Sequence, residues 1–408
     1  MNAPLSAPLL SAVEMAPRDP IIGVTEAFNA DPNPAKVNLG VGVYCGEDGK
    51  VPLLECVRRA EQAIAEQGKP HVYLPIDGIP AYDRAVQVLL FGAESEVVRS
   101  GRAVTVQALG GTGGLRIGAD FLRRFAPAAQ VWISEPSWEN HRALFESSGF
   151  SVNAYPYYDA ATRGLDFEAM AEAISRAPAG SIVCLHACCH NPTGVDLSPE
   201  QWGRVIDIVR DRGHVPFIDL AYQGFGDGPE ADAAPVRRLA ATAGPVLVAN
   251  SFSKSFSLYG ERAGALSIVA ADRDEAARVL SQVKRLVRAN YSSPPSFGGQ
   301  VVSIILGTPE LAKRWQEELA GMRERILSLR RALVDRLALH APKADFRFML
   351  EQRGMFSYSG LTKDQVARLR AEFSIYAIDS GRICVAALNA HNTDYVARGV
   401  ASVLQSPR

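Results

Sequence analysis

The chain has 408 residues, 47% hydrophobic and 21% charged, with 43 Lys and Arg against 44 Asp and Glu. At roughly 100–200 residues per domain this length predicts two domains, with a core large enough to need neither disulfides nor a structural metal. A net charge of -1 supplies no field for nucleic acid or anionic lipid, which excludes binding to either as the main function.

The cysteines (Cys45, Cys56, Cys184, Cys188, Cys189 and Cys384) include no C-x-x-C pair, so reduced thiols are expected rather than a zinc or redox motif. Residues 1–17 carry no Lys or Arg, which argues against a targeting peptide. The uncharged stretches 177–195 and 289–309 are broken by Pro and Gly, which argues against membrane spans. A cytoplasmic protein without a membrane or nucleic-acid partner is expected.

In chain order, residues 1–15, rich in Ala, Pro and Ser, read as a loose arm. Residues 104–109 read as a strand, followed by a Gly-rich turn and a helical pattern through Phe125; 130–134 read as a strand and 138–149 as a helix. A buried strand at 181–187 precedes a helix with Ser198 as N-cap, Pro199 at its first position and Gln201 closing a capping box. Strands at 215–221 and 245–252 repeat the theme. Strands alternating with helices predict an α/β fold with a mainly parallel sheet flanked by helices.

Beyond residue 309, Leu311, Trp315, Leu319, Met322, Ile326, Leu329, Leu333 and Leu337 advance by three or four, predicting one long helix. It is followed by apolar segments at 346–350 and 354–359, a helix capped by Thr362 with Gln365, a strand at 383–388 and a helix from Thr393. This order reads as a smaller α+β domain.

Ligands of open parallel sheets sit beyond the carboxyl ends of the strands, and the chain's unusual polar residues cluster at those points. Gly110-Gly111-Thr112-Gly113-Gly114, between a strand and a helix, offers backbone N–H groups to an anion. It is not a P-loop, and Arg116 replaces the third glycine of a dinucleotide fingerprint, leaving a nicotinamide dehydrogenase as a weak competing reading. Asp219 closes a very apolar strand, with Tyr222 close behind. Asn191-Pro192-Thr193-Gly194 follows another strand. Lys254, at a strand end ringed by Ser251, Ser253 and Ser255, is placed to be a free amine that bonds a carbonyl carbon. An anion for a pyridinium (Asp219), donors for a phenolic oxygen (Asn191, Tyr222), an amine (Lys254), a stacking ring (Trp138) and a phosphate cradle (Gly111, Thr112, Ser251, Ser253, Arg262) together match pyridoxal 5'-phosphate. Cys188, Cys189 and His190 read as packing, and no metal is expected.

These motifs, with Asn38-Leu39-Gly40-Val41-Gly42-Val43-Tyr44, Pro136-Ser137-Trp138 and Gly381-Arg382, resemble those of fold-type I, class I aminotransferases of the aspartate/aromatic subgroup, from about Asp19 to the C-terminus. The resemblance implies a seven-stranded large domain over 48–320, a small domain from 16–47 and 321–408, and a linking helix at about 309–340. It implies a homodimer with shared active sites and a ping-pong exchange between pyridoxal and pyridoxamine phosphates. By the same resemblance Lys254 bonds the cofactor and moves the substrate's α-proton, Asp219 pairs with the ring nitrogen, and Tyr73 reaches the phosphate of the neighbouring subunit. Arg382 would hold the α-carboxylate with Asn191, Trp138 and Gly42, His141 would support Asp219, and Arg288 would reach a dicarboxylate's distal group across the dimer. Tyr73-Leu74-Pro75 and Tyr291-Ser292-Ser293, with Ser293 near Arg288, resemble bacterial aromatic-amino-acid (tyrosine) aminotransferases. The expected substrates are aromatic L-amino acids together with aspartate and glutamate, and 2-oxoglutarate. The alternative is an aspartate aminotransferase with little aromatic activity.

Overall fold

In a computed structural model that describes residues 9–16, 21–242 and 244–405, the apolar runs between residues 103 and 269 assemble into one sheet of seven strands. These are β1 (Ala103–Leu109), β2 (Val131–Glu135), β3 (Val152–Pro156), β4 (Ile182–His186), β5 (Val215–Leu220), β6 (Val246–Ser251) and β7 (Ala263–Val269). Their spatial order is β1-β7-β6-β5-β4-β2-β3. All neighbours are parallel except β7, which runs antiparallel to both β1 and β6. The interior strands read as continuous apolar runs because helices cover both faces of the sheet. β4, β6 and β7 are buried at every residue.

Two strands escape a reading of the sequence in chain order. β7 contains Ala263, Gly264 and Ala265, a weak strand signal, and β3 is a half-exposed edge strand. The antiparallel course of β7 matters for the site. It brings the start of that strand, with Arg262 just before it, level with the carboxyl ends of β1 and β6: Ala263 lies opposite Leu109, and Gly264 opposite Ser251.

Helix α1 (Gly110–Phe125) follows β1 directly, and its N-cap residue Leu109 offers no side-chain cap. The helix Pro199–Asp211 has both halves of the Ser198/Gln201 capping box, and Lys363–Phe373 has the equivalent pair from Thr362 and Gln365. Helix α2 (Arg273–Asn290) packs beside β1. The long helix α3 (Pro309–His340) buries Trp315, Leu319, Met322, Ile326, Leu329, Leu333 and Leu337 along one stripe. It is tied to the turn that carries Lys254: Trp315 Nε1 donates to Ser255 O at 2.8 Å, and the Trp315 ring stacks on Phe256 at 4.7 Å.

The N- and C-terminal parts of the chain meet in one small sheet, and a second lies within the C-terminal part. Val37–Asn38 pairs in parallel with Ile375–Tyr376, and β8 (Phe356–Tyr358) pairs antiparallel with β9 (Arg382–Cys384). Leu39 O accepts from Cys384 N at 2.8 Å, which sets Gly40 and Gly42 beside Arg382. The strand expected at 383–388 is shorter: it stops at Cys384, and Val385–Ala387 form a 3-10 turn. Every residue from Ile383 to Ala386 is buried, and a short apolar run does not by itself distinguish a buried turn from a strand. Of the N-terminal arm, Leu9–Ala12 form a 3-10 turn; residues 1–8, and Asp19 where the resemblance begins, lie outside the described residues. No described helix is long and apolar enough to cross a membrane.

Candidate active site

The carboxyl ends of β1, β2, β4, β5 and β6 surround a cavity of about 220 Å³. Its walls include Gly42, Gly111, Thr112, Trp138, Asn191, Asp219, Tyr222, Ser251, Ser253, Lys254, Arg262 and Arg382. Twelve residues assigned from the sequence thus come together from segments more than 300 residues apart. His141 lies behind the wall, against Asp219, and three others do not join them: Tyr73, Arg288 and Ser293 line a separate surface cavity of about 410 Å³. Tyr73 is 93% exposed there, and Arg288 donates to the Ser292 hydroxyl.

Lys254 is at the centre. Among the described residues its Nζ makes no hydrogen bond, and it lies 5.0 Å from the centroid of the Tyr222 ring. Burial pulls its pKa from 10.5 to about 8, with Asp219 opposing and Arg262 and Arg382 reinforcing the shift. A lysine so placed spends a usable fraction of time as a free amine near neutral pH.

Asp219 is the last residue but one of β5 and is buried. Burial alone would raise its pKa, but the His141 hydrogen bond and the charges of His141 and Lys254 outweigh it and hold the carboxyl below 3.8. Its Oδ2 accepts from His141 Nε2 at 2.9 Å, and His141 Nδ1 meets Ser137 Oγ at 2.9 Å. Burial disfavours the charged form of His141, yet the Cys184 sulfur and the Asp219 carboxylate lift its pKa to about 10. His141, His186 and Asp219 place ligand atoms within 4.8 Å of one another, a spacing that could hold a metal. One edge of that triangle is already the His141–Asp219 hydrogen bond, and a protonated imidazole has no lone pair to give a metal.

At the other end of the cavity, the uncapped N-terminus of α1 faces Ser251, Ser253 and Arg262. Ser253 N donates to Ser251 Oγ at 3.2 Å, and Arg262 Nη1 reaches Ser253 Oγ at 3.4 Å and Tyr259 O at 3.0 Å. Gly110 has φ +67°, and a Cβ there would sit 2.5 Å from Arg262 Nη2. Free helix N–H groups, two hydroxyls and a guanidinium form a cradle for a phosphate dianion.

Arg382 is 1% exposed. Its Nη1 donates to Asn191 Oδ1 at 3.0 Å and its Nη2 to Gly40 O at 2.7 Å, while Nε has no partner among the described residues. The nearest carboxylate oxygen, of Glu139, is 4.0 Å away. The Phe356 ring lies 4.3 Å from its guanidinium carbon. A buried guanidinium held by neutral acceptors is short of negative charge, and it opens on the cavity that contains Lys254.

The sequence reading passed over His186, Tyr259 and Phe356, which also line the cavity. His186 is buried, and burial and His141 lower its pKa to about 3, so it is neutral. Its signal lies in register: His186 pairs with Asp219 across β4 and β5, at the same carboxyl edge. His190, by contrast, is satisfied at both nitrogens, by Ser134 at 2.9 Å and Thr193 at 2.8 Å, in keeping with a packing role.

An amine, a ring-sized slot beside Trp138, a buried carboxylate and a phosphate cradle suit pyridoxal phosphate, and they define an enzyme that works on the amino group of a carboxylate-bearing substrate. Comparison with known proteins agrees. The model of the aminotransferase class I and II family matches residues 34–400, so the chain belongs to that family and is a pyridoxal-phosphate-dependent transaminase. It is 60% identical to an aspartate aminotransferase of Pseudomonas aeruginosa, over 97% of this chain and 100% of that one. It is 50% identical to the aromatic-amino-acid aminotransferase of Escherichia coli, over 95% of this chain and 98% of that one. The crystal structure of an aromatic-amino-acid aminotransferase from Burkholderia pseudomallei, covalently bound to pyridoxal phosphate, superimposes with a TM-score of 0.95 at 61% identity, covering 98% of this chain and 100% of that one.

Proposed function

We propose that the enzyme transfers the amino group of aromatic L-amino acids, and also of aspartate and glutamate, to 2-oxoglutarate. The observation that carries the reading is the buried, charge-deficient Arg382 opening on the same cavity as Lys254, a receptor for an α-carboxylate beside a reactive amine. The double specificity is supported by relatives of nearly equal identity, one named for aspartate and one for aromatic amino acids. Aromatic walls from Trp138, Tyr259 and Phe356 suit a ring.

When bound, pyridoxal phosphate supplies an aldehyde for amine exchange and a protonated ring that accepts the electron pair released at the substrate's α-carbon. Gly111, Thr112, Ser251, Ser253 and Arg262 hold the phosphate. Asp219, kept ionised by His141, holds the proton on the ring nitrogen. Asn191 and Tyr222 orient the ring oxygen, and Trp138 packs against the ring. Arg382 fixes the α-carboxylate with Asn191, Trp138 and the Gly42 backbone. This would leave the α-proton within reach of Lys254 Nζ, which would take it as a base and return it to the carbon that had been the cofactor's aldehyde.

The site is completed by a second copy of the chain. Tyr73 and Arg288 stand exposed and away from the Lys254 cavity, next to exposed Val72. In a homodimer they would enter the partner's site, Tyr73 toward the phosphate and Arg288 toward a distal carboxylate, with Ser293 beside Arg288 leaving it room to move. Within each subunit, 48–320 form the large domain and 16–47 with 321–408 the small one. Free cysteines fit a reducing, cytoplasmic setting. An aspartate aminotransferase with little aromatic activity is the second reading, favoured by the name of the 60% identical relative. Steady-state kcat/KM for phenylalanine, tyrosine and aspartate, in the wild type and in Arg288→Ala, tests the proposal. Arg288→Ala should lose aspartate activity and keep aromatic activity; a wild type inactive on aromatic amino acids would overturn it in favour of the second reading.

A further inference from the structure

β1 is an edge strand, so one side of its backbone is open for pairing. At Gln107 that open side is occupied by two loops. Gln107 N donates to Asp77 O at 2.8 Å, and Gln107 O accepts from the Tyr291 hydroxyl at 3.3 Å. The fully buried side chain repeats the arrangement: Nε2 donates to Pro295 O at 2.7 Å, and Oε1 accepts from Ile79 N at 3.4 Å. Two of the four bonds thus go to the segment after Tyr73, and two to the segment after Arg288.

Glycines on both sides allow this approach. A Cβ at Gly78, where φ is +108°, would lie 2.4 Å from Gln107 Cβ, and one at Gly299 would lie 2.6 Å from Gln107 Nε2. Nearer the surface, Lys284 on α2, one turn before Arg288, pairs with Asp77 at 3.0 Å. A buried amide with every bond made to loops holds them in one geometry, since a hydrophobic side chain there would leave Pro295 O without its donor.

We infer that Gln107, with the Asp77–Lys284 pair outside it, is a positioning residue that locks the Tyr73 and Arg288 loops into a single unit, so that both residues are presented together to the partner's active site. The inference rests on the roles proposed above for Tyr73 and Arg288. Gln107 is not among the residues lining its own subunit's Lys254 cavity; it acts through the loops.

The test uses the holoenzyme with Gln107→Met, which keeps the length of the side chain and removes both of its hydrogen bonds, alongside Lys284→Met and Arg288→Ala. Three quantities are read: kcat/KM for aspartate relative to phenylalanine, the dissociation constant of pyridoxal phosphate, and the melting temperature. Gln107→Met should lower the aspartate-to-phenylalanine ratio roughly tenfold and weaken cofactor binding by a similar factor, as expected for lost buried hydrogen bonds. Lys284→Met should shift both the same way by a smaller factor. A role confined to stability would lower the melting temperature or the active fraction and leave the ratio and the dissociation constant unchanged; that result overturns the inference. If Gln107→Met does not fold, an unchanged ratio in Lys284→Met overturns it. If Arg288→Ala leaves the ratio unchanged, the underlying assignment of Arg288 fails instead, so the two failures are distinguishable.

Discussion

Replacing Arg382 with lysine probes the carboxylate receptor. The guanidinium is 1% exposed, gives one N–H each to Asn191 Oδ1 and Gly40 O, and has no partner at Nε among the described residues. An ammonium carries the same charge but cannot present two parallel donors while also reaching those acceptors. A charge-assisted hydrogen bond is worth about 1.5–3 kcal/mol, so losing the second one predicts a fall in kcat/KM of roughly 10- to 150-fold. Because every amino acid has an α-carboxylate, phenylalanine and aspartate should lose similar factors. The assay is steady-state kinetics with both substrates, with the melting temperature as a check on folding, since Arg382 also ties β9 to Gly40. Retention of activity within threefold, or a loss confined to one class of substrate, would refute the reasoning.

Other outcomes follow from the same geometry. With the Lys254 pKa near 8, the free amine of the cofactor-free protein is lost as pH falls through that value, so the rate of pyridoxal phosphate attachment should rise with a midpoint near pH 8, and a midpoint near the ordinary 10.5 would contradict the burial argument. Lys254→Ala should abolish turnover while the protein still folds; near-normal turnover would sink its assignment. Gly110→Ala puts a Cβ 2.5 Å from Arg262 at a positive φ that costs an L-residue about 1–2 kcal/mol, and should weaken cofactor affinity at least tenfold by equilibrium titration. Trp315→Ala removes a fully buried ring and the bond to Ser255 O, and should lower stability by about 3–5 kcal/mol in denaturant titration.

Much of this molecule is legible in its sequence because chemistry and secondary structure coincide there. Asp219, Ser251 and Lys254 stand at or just past the ends of apolar strands, and in a parallel sheet that fact alone brings them to one edge. The two capping boxes are equally local, since each is complete within four residues. What was missed depends on pairing. His186 is one more strand-end residue until the β4–β5 register sets it opposite Asp219. β7 carries small residues that signal a strand poorly, yet its antiparallel course delivers Arg262. The end of β9 at Cys384 is invisible because the residues on both sides of it, Ile383 to Ala386, are all buried. Gln107 reads as one polar residue in a buried strand, and only the loops folded over the sheet edge reveal its four bonds. The roles proposed for Tyr73 and Arg288 need a second subunit, whose surface no single chain displays.

The most direct test of the proposed specificity is to follow the visible absorption of the bound cofactor after adding L-phenylalanine and, separately, L-aspartate, with no oxo acid present. The account predicts that both amino acids rapidly convert the aldehyde form of the cofactor to its amine form. Conversion by aspartate alone would contradict the dual specificity and leave an aspartate aminotransferase.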